Sequence, residues 1–212
     1  MTALSHAIIE SLRIGPEKNF CYKILCPETN VCALVDPAFE FDRVIEWAKK
    51  AEIRFLIATH GHWDHAGGFP EMLKRVPQAR VVAHEAESAR LQKNGIPLHQ
   101  ALRDEEILMV GHVEVKAWHT PGHTEGGCCY LIGDQVLTGD TLFVGQCGRT
   151  DLAGGSDEEL FESLQRLKKL PPETIVRPGH DYGKTPQSTM AIEMQTNATM
   201  KAKTLNEFIS LP

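Results

Sequence analysis

The densest run of potential metal ligands in the sequence is His60-Gly61-His62-Trp63-Asp64-His65. Four of these six residues carry an imidazole or a carboxylate, groups that bind Zn²⁺, Fe²⁺ or Mn²⁺. The run comes directly after the apolar segment Phe55–Ala58, which we expect to form a buried strand. Because side chains two apart in an extended segment point the same way, His60 and His62 can bind one cation, while Asp64 and His65 reach a second as the chain turns. The run therefore predicts part of a binuclear metal centre.

Three further ligand candidates lie in loops that follow predicted strands: His123 in PGHTEGG, Asp140 in LTGDTLF and His180 in RPGHDYG. The neighbouring glycines let the backbone turn sharply and approach closely. Because an aspartate has two oxygens, Asp140 can bridge two cations about 3.5–4 Å apart. We therefore expect one cation at His60, His62 and His123, the other at Asp64, His65 and His180, and Asp140 on both. A purely structural metal site is disfavoured, since such sites tend to be closed and rich in cysteine.

The segments that must position these side chains alternate between strand-like and helix-like patterns. Amphipathic spacing predicts helices over Phe41–Ala51, Phe69–Arg75, Glu158–Leu170 (capped by Ser156 or Asp157) and roughly Pro186–Phe208. Strands are predicted at Ala7–Leu12, Cys21–Leu25, Val31–Val35, Phe55–Ala58, Arg80–Ala83, Val113–Trp118, Cys129–Ile132, Gln135–Thr138 and Thr174–Val176. Strands followed by helices in both halves predict an α/β fold, with two sheets face to face and helices outside.

The composition narrows the classes of partner. The 212 residues carry a net charge of -6 without a cluster of Lys and Arg, so we expect no nucleic acid partner. No apolar run has the length that spans a bilayer, and the N-terminal segment lacks a signal-peptide pattern, so we expect no membrane association and a cytoplasmic location. The six cysteines form no CxxC pair, and we expect a structural role for Cys147 near the site.

The motifs HGHWDH, PGHTEGG, TGDTLF, GQCGRTD and GHDY together resemble those of the metallo-β-lactamase superfamily, and within it the glyoxalase II-like thioester hydrolases. The resemblance runs from about the first predicted strand to just past His180. It implies a four-layer αββα sandwich with the metal site at the edge between the two sheets. It also implies that Asp36 orients the site, although Asp36 before Pro37 is equally typical of a turn.

This resemblance implies a hydrolase that uses two divalent cations, with zinc favoured and iron or manganese as alternatives. A metal-bridging hydroxide would attack an acyl-thiol such as S-lactoylglutathione, because metal binding lowers the pKa of water from 15.7 to about 7. Asp64 and Asp140 are the expected catalytic residues. A thioester suits this chemistry, since a thiol with a pKa near 8.5 needs little help to leave.

The expected substrate contacts are Arg149, Tyr182 and Lys184, which we expect to hold the anionic part of a small thioester. Arg149 and Tyr182 match a cationic and an aromatic position of glyoxalase II. A glutathione conjugate is one candidate, although Asp151 stands where a glutathione-contacting tyrosine is expected. Only 32 residues follow His180, so we expect residues 1–212 to form a single domain without the C-terminal glutathione-binding helices of full-length glyoxalase II. The oligomeric state is left open.

Single positions set other branches of the superfamily aside. Its β-lactamases have Cys at the position of Asp140, and flavodiiron proteins have Glu at the position of His62. Persulfide dioxygenases remain as the alternative, because they share the loop seen here as Gln146-Cys147-Gly148-Arg149-Thr150-Asp151. They bind one iron through the equivalents of His60 or His62 and of His123 and Asp140, and they act on glutathione persulfide.

Overall fold

In the computed structural model, which describes residues 6–211, the strands form two mixed sheets of six strands each. The first sheet contains, in chain order and in space, β1 (Ile8–Ile14), β2 (Asn19–Leu25), β3 (Val31–Val35), β4 (Glu52–Ile57), β5 (Arg80–His84) and β6 (Gln100–Leu102). Strands β1, β2 and β3 are antiparallel, and β3 to β6 are parallel. Strand β3 is apolar throughout because both of its faces are buried.

The second sheet contains β7 (Ile107–Val110), β8 (Val113–His119), β9 (Cys128–Ile132), β10 (Gln135–Gly139), β11 (Ile175–Pro178) and β12 (Ser188–Thr189). The order in space is β12-β11-β10-β9-β8-β7. Strands β10 and β11 are parallel, and the other neighbours are antiparallel. The hairpin between β9 and β10 turns at Gly133, where φ is 58°.

Eight helices among the described residues cover the sheets: α1 (Phe41–Ala48), α2 (Trp63–Ala66), α3 (Phe69–Arg75), α4 (Ser88–Lys93), α5 (Asp157–Leu167), α6 (Met190–Thr196), α7 (Ala198–Lys201) and α8 (Leu205–Ile209). A 3-10 turn at Glu85–Glu87 precedes α4. The hydroxyl of Ser156 accepts a hydrogen bond from the amide of Glu159 at 3.2 Å, so Ser156 is the N-cap of α5. Within residues 6–211, no helix combines the length and hydropathy needed to cross a bilayer.

The apolar side chains bury themselves in three clusters that define four layers. The central cluster lies between the sheets and includes Ile57, Val115 and Leu137. A second cluster packs the first sheet against α1, α3 and α4, and a third packs the second sheet against α5 and the C-terminal helices. Full burial of each large aliphatic side chain contributes about 1.5–3 kcal/mol. The predicted αββα sandwich is thereby confirmed.

The helix bounds differ from the predictions mainly near the end of the chain. Helix α1 ends at Ala48 rather than Ala51, and the segment 186–208, which was expected to be helical, is divided into β12 and three short helices. The side chain of Asn197 caps α7 and that of Thr204 caps α8, so each helix restarts instead of continuing. The extent of a single domain over 1–212 stays a prediction, since 1–5 and 212 lie outside the described residues.

The strand directions gather the candidate ligands at one edge of the sandwich. Asp36 and His60 follow the ends of the parallel strands β3 and β4, while His123, Asp140 and His180 follow β8, β10 and β11, which run in one direction. The edges of the two sheets meet there, since the amide of Cys128 donates to the carbonyl of Thr59 at 2.9 Å. This edge therefore carries the candidate site.

Candidate metal centre

The first set of candidate ligands comprises His60, His62 and His123, called here the three-histidine group. The Nδ1 atom of His62 lies 3.1 Å from Nε2 of His60 and 2.9 Å from Nε2 of His123. One ring nitrogen of each residue thus points at a common position, and such a cluster can hold a cation. The spacing of the HGH motif produces this arrangement because Gly61 places both histidines on the same side of an extended segment.

The second set comprises Asp64, His65 and His180, called here the aspartate–histidine group. The Nε2 atoms of His65 and His180 lie 3.1 Å apart. The Oδ2 atom of Asp64 lies 3.5 Å from the first of these nitrogens and 3.4 Å from the second. Asp64 and His65 are brought inward by the single turn of α2, which follows the extended HGH segment directly.

Asp140 lies between the two groups. Its Oδ1 atom is 3.3 Å from Nε2 of His65, and its Oδ2 atom is 3.4 Å from Nε2 of His180 and 3.5 Å from Nε2 of His123. The Oδ1 atom is buried and accepts no hydrogen bond from the described residues, a costly state that a cation would relieve. A Cβ atom at Gly179 would lie 2.4 Å from this oxygen, so only glycine leaves room for the carboxylate.

Hydrogen bonds at the opposite ring nitrogens fix how four histidines present their ligand atoms. The Nδ1 atoms of three rings donate to acceptor oxygens: His65 to Asp36 Oδ2 at 2.9 Å, His123 to the carbonyl of Arg149 at 2.7 Å, and His180 to the carbonyl of Glu17 at 2.8 Å. The Nδ1 atom of His60 lies 3.1 Å from Thr59 Oγ1. Nε2 is thereby the ring nitrogen that faces the cluster and that can bind a cation when it carries no proton, as in metal-ligating histidines generally.

Asp36 combines both roles that the sequence left open. Its backbone is in the left-handed region, with φ at 53°, as befits the turn before Pro37. Its carboxylate is buried and accepts hydrogen bonds from the amide of Thr59 at 2.8 Å and the hydroxyl of Thr59 at 2.6 Å, in addition to the contact with His65. The turn thus aims a carboxylate at the residues that flank the candidate ligands.

The three-histidine group favours neutral rings. Burial lowers the pKa of His60 well below its ordinary value. Burial, together with the nearby His123, lowers the pKa of His62 to about 4. Both rings are therefore uncharged near pH 7, and their lone pairs are available to a cation.

His65 and Asp140, in contrast, form a buried pair in which each side chain favours the charged form of the other. Burial acts to lower the pKa of His65, but the carboxylates of Asp140 and Asp36 outweigh it and raise that pKa. Burial acts to raise the pKa of Asp140, but His65 and a hydrogen bond from His180 outweigh it and lower that pKa. A cation that binds here therefore takes the place of a proton on His65.

A cleft of about 340 Å³ opens in front of both groups and is lined by candidate ligands and by several apolar side chains. Trp63 at its rim is 60% exposed, and the ring of Trp63 meets that of Phe39 edge-on at 5.6 Å. Tyr182 is 49% exposed and stacks on the ring of His180 at 4.6 Å. Exposed apolar groups of this size around a concave site are typical of a ligand-binding surface.

The two cationic side chains predicted to contact the substrate are less available to the cleft than Trp63 and Tyr182. Arg149 lines the cleft, but its Nε and terminal nitrogen donate to Asp151 at 2.6 Å and 2.7 Å. Lys184 is exposed and is absent from the described residues that line the cleft. Cys147 lines the cleft, and burial raises the pKa of its thiol to about 11, which agrees with the structural role predicted for it.

Several contributors to the site carried no sequence signal. The carbonyl of Glu17 accepts the hydrogen bond from Nδ1 of His180. The side chain of Asn19 donates to the carbonyl of Asp64 at 2.9 Å and to Asp64 Oδ2 at 3.2 Å. Leu152, 41% exposed, lines the cleft from a loop. These contacts depend on how distant segments meet, which no local spacing reports.

Comparisons with known proteins agree with this fold. The family model of the metallo-beta-lactamase superfamily matches residues 15–180. The chain is 31% identical to the "Probable polyketide biosynthesis zinc-dependent hydrolase BaeB" of Bacillus velezensis, over 91% of this chain and 86% of that protein. It is 36% identical to a "Probable hydroxyacylglutathione hydrolase" of Schizosaccharomyces pombe, over 81% of this chain and 67% of that protein.

Among solved structures, ETHE1 from Myxococcus xanthus is similar, with a TM-score of 0.85 and 31% sequence identity, covering 97% of this chain and 92% of that one. The chain belongs to the metallo-β-lactamase superfamily, as the motifs predicted. This superfamily uses divalent metals, and a donor set of imidazoles and carboxylates without thiolate suits Zn²⁺, Fe²⁺ or Mn²⁺.

Proposed function

We propose that the protein is a metal-dependent thioester hydrolase of the glyoxalase II type, with two divalent cations, zinc in first place. The observation that carries the proposal is the position of Asp140, whose Oδ1 atom lies 3.3 Å from Nε2 of His65 in one group and whose Oδ2 atom lies 3.5 Å from Nε2 of His123 in the other. A bridging carboxylate between two ligand groups is typical of two-metal hydrolases. The likeness to proteins named as hydrolases, one of them zinc-dependent, supports the proposal.

The three-histidine group would hold one cation and the aspartate–histidine group the other, with Asp140 shared. When bound, the cations would supply hydroxide at neutral pH and polarise the carbonyl of the substrate. Asp64 lines the cleft and is placed to orient the attacking water and hold its proton. The reaction forms a carbon–oxygen bond and breaks the carbon–sulfur bond, so water and thioester give a carboxylic acid and a thiol. Because the thiolate is a good leaving group, no separate general acid is required.

The rim of the cleft would position the acyl-thiol. Trp63 and Tyr182 offer flat exposed surfaces in the lining of the cleft, and Arg149 contributes a guanidinium group. Lys184 stays a predicted contact, although its side chain would have to extend toward the cleft to reach the substrate. A glutathione conjugate is the first substrate to assay, because hydroxyacylglutathione hydrolase is the name of several relatives.

A second candidate function is that of a persulfide dioxygenase with a single iron. The likeness to ETHE1, at a TM-score of 0.85 over nearly the whole chain, leaves this alternative open. The single iron would take His60 or His62, His123 and Asp140 as ligands, which the three-histidine group and its contact with Asp140 permit.

The two functions predict different metals and different reactions. The purified protein would be analysed for metal identity and stoichiometry, then assayed for cleavage of S-lactoylglutathione and for oxygen uptake with glutathione persulfide. Two cations per chain with thioester cleavage are expected. One iron per chain with oxygen consumption would contradict the hydrolase proposal and favour the dioxygenase.

A further inference from the structure

Glu87 and Arg90, which carry no ligand motif, lie behind the three-histidine group. Glu87 is 1% exposed, and a buried carboxylate is costly unless it is paired. Its Oε1 atom accepts a hydrogen bond from the hydroxyl of Thr124 at 2.5 Å, and its Oε2 atom lies 3.3 Å from Nε of Arg90. The two oxygens of one side chain thus engage residues of two different segments.

The first of these segments carries His123. Thr124 follows His123 directly and is fully buried, and its side-chain hydroxyl donates to Glu87. Two residues further on, a Cβ atom at Gly126 would lie 2.5 Å from Cγ of Glu87, which shows how closely this loop packs on the glutamate. The position of the His123 backbone is therefore set partly by Glu87.

The HGH segment rests against the same pair. A Cβ atom at Gly61, which separates His60 from His62, would lie 2.5 Å from Oε2 of Glu87 and 2.8 Å from Cδ of Arg90. These distances are shorter than Cβ atoms tolerate, so the backbone of Gly61 is in direct contact with the ion pair. Any displacement of the pair moves the residue between two candidate ligands.

Arg90 extends the contact to a third segment. A terminal nitrogen of Arg90 donates to the carbonyl of Ala153 at 2.8 Å. The loop that contains Ala153 also contains Arg149, whose carbonyl accepts the hydrogen bond from Nδ1 of His123. The pair therefore touches the HGH segment, the loop that carries His123, and the loop whose carbonyl orients the His123 ring.

We propose that the Glu87–Arg90 pair is a positioning device for the three-histidine group, which keeps His60, His62 and His123 within reach of a single cation. The aspartate–histidine group has supports of its own, Asn19 on Asp64 and the Glu17 carbonyl on His180. The pair thus governs the affinity of one metal position and leaves the other unchanged. The inference rests on the two metal positions of the proposed function, and its test measures metal occupancy rather than turnover.

Occupancy of the two positions, measured separately in the full chain, tests this inference. Thr124→Val keeps the shape of the side chain but removes the hydroxyl that Glu87 accepts, and Thr124→Ser restores it. Each protein would be titrated with Zn²⁺ against a chelator, and the occupancy of each position would be read from anomalous scattering in crystals. Thr124→Val is expected to weaken zinc binding at the three-histidine group by 10–100-fold, as for other residues that orient metal ligands, and Thr124→Ser to restore it.

Glu87→Gln provides an independent variant, because it keeps an acceptor for Thr124 but removes the charge that pairs with Arg90. It is expected to lower occupancy at the three-histidine group alone, while Gln92→Ala, an exposed change on α4, leaves both positions as in the wild type. Equal loss at both positions in Thr124→Val would overturn the inference, and so would full occupancy of the three-histidine group in both variants. A wild-type protein with no zinc at that group would overturn it as well.

Discussion

The Oδ2 atom of Asp36 lies 2.9 Å from Nδ1 of His65, so a carboxylate outside every ligand motif holds the ring of a candidate ligand in place. The same carboxylate accepts both the amide and the hydroxyl of Thr59, the residue before His60. One side chain at the end of β3 thereby links the beginning and the end of the HGHWDH run.

Asp36→Asn is predicted to weaken cation binding by about 10–100-fold while the protein still folds. Asparagine tolerates the left-handed backbone at this position, where φ is 53°, but its amide has one acceptor oxygen for three donors. Competition titration with a chelator measures the affinity, and circular dichroism checks the fold. Wild-type affinity in a folded Asp36→Asn protein would contradict the role assigned to Asp36.

Gly179→Ala is predicted to reduce thioester turnover by about 10²-fold, the typical effect of moving a catalytic group by about 1 Å. The new Cβ atom would lie 2.4 Å from Oδ1 of Asp140 and 3.0 Å from Cε1 of His65, so the carboxylate must move. Steady-state kinetics with metal analysis measures the effect. Gly133→Ala is the matched control, because a Cβ atom there meets nothing within 4 Å and any backbone strain lies far from the site. Equal turnover of the two variants would show that displacement of the Asp140 carboxylate is not the cause of the loss.

Asp151→Asn is predicted to raise kcat/KM for an anionic thioester such as a glutathione conjugate by about 3–10-fold. Asp151 engages Arg149 through two hydrogen bonds, and both side chains are about two-thirds exposed, so the pair is weak enough to be replaced. Removal of the carboxylate frees the guanidinium for the substrate. A neutral thioester serves as the comparison substrate and should show no gain. An unchanged ratio between the two substrates would remove Arg149 from the list of substrate contacts.

The strands and the layers follow from local pattern, whereas the short elements do not. Strand β3 and helix α3 have the predicted bounds, since β3 is a compact run of apolar residues and α3 has Pro70 in its first turn, where helices typically begin. Helix α4 and strands β6 and β7 were missed, because six, three and four residues are too few to display a period. Their place is decided by packing against neighbouring strands.

The candidate site likewise has a part that the sequence predicts, the ligands, and a part that it does not, their hydrogen-bond partners. All seven predicted ligands lie together because each follows a strand that ends at one edge, a consequence of topology that the sequence encodes directly. The partners of those ligands were not predictable, except Asp36, which came from the resemblance. Glu17 acts through a backbone carbonyl, and Glu87 lies in the short 3-10 turn before α4, so neither side chain type nor spacing pointed to the site.

A stacked pair of histidines outside the metal centre is expected to make stability depend on pH. The rings of His84 and His119 lie parallel with centroids 3.9 Å apart, and His84 is 5% exposed. Burial, with a contribution from His119, lowers the pKa of His84 from 6.5 to about 4. As the pH falls below 6.5, the unfolded chain therefore takes up a proton at His84 that the folded protein does not accept until about pH 4.

The stabilisation is complete above pH 6.5 and is lost on acidification, at about 1.4 kcal/mol per pH unit. We predict that the free energy of unfolding of the wild type falls by about 1–2 kcal/mol more between pH 7 and pH 5 than that of His84→Gln, which has no proton to gain. Urea unfolding at both pH values, with saturating zinc, measures the difference. The histidines of the metal centre are the same in both proteins, so their contribution cancels in the comparison. If the two proteins lose the same stability, His84 is protonated in the folded state as readily as in the unfolded chain, and burial beneath His119 does not keep it neutral.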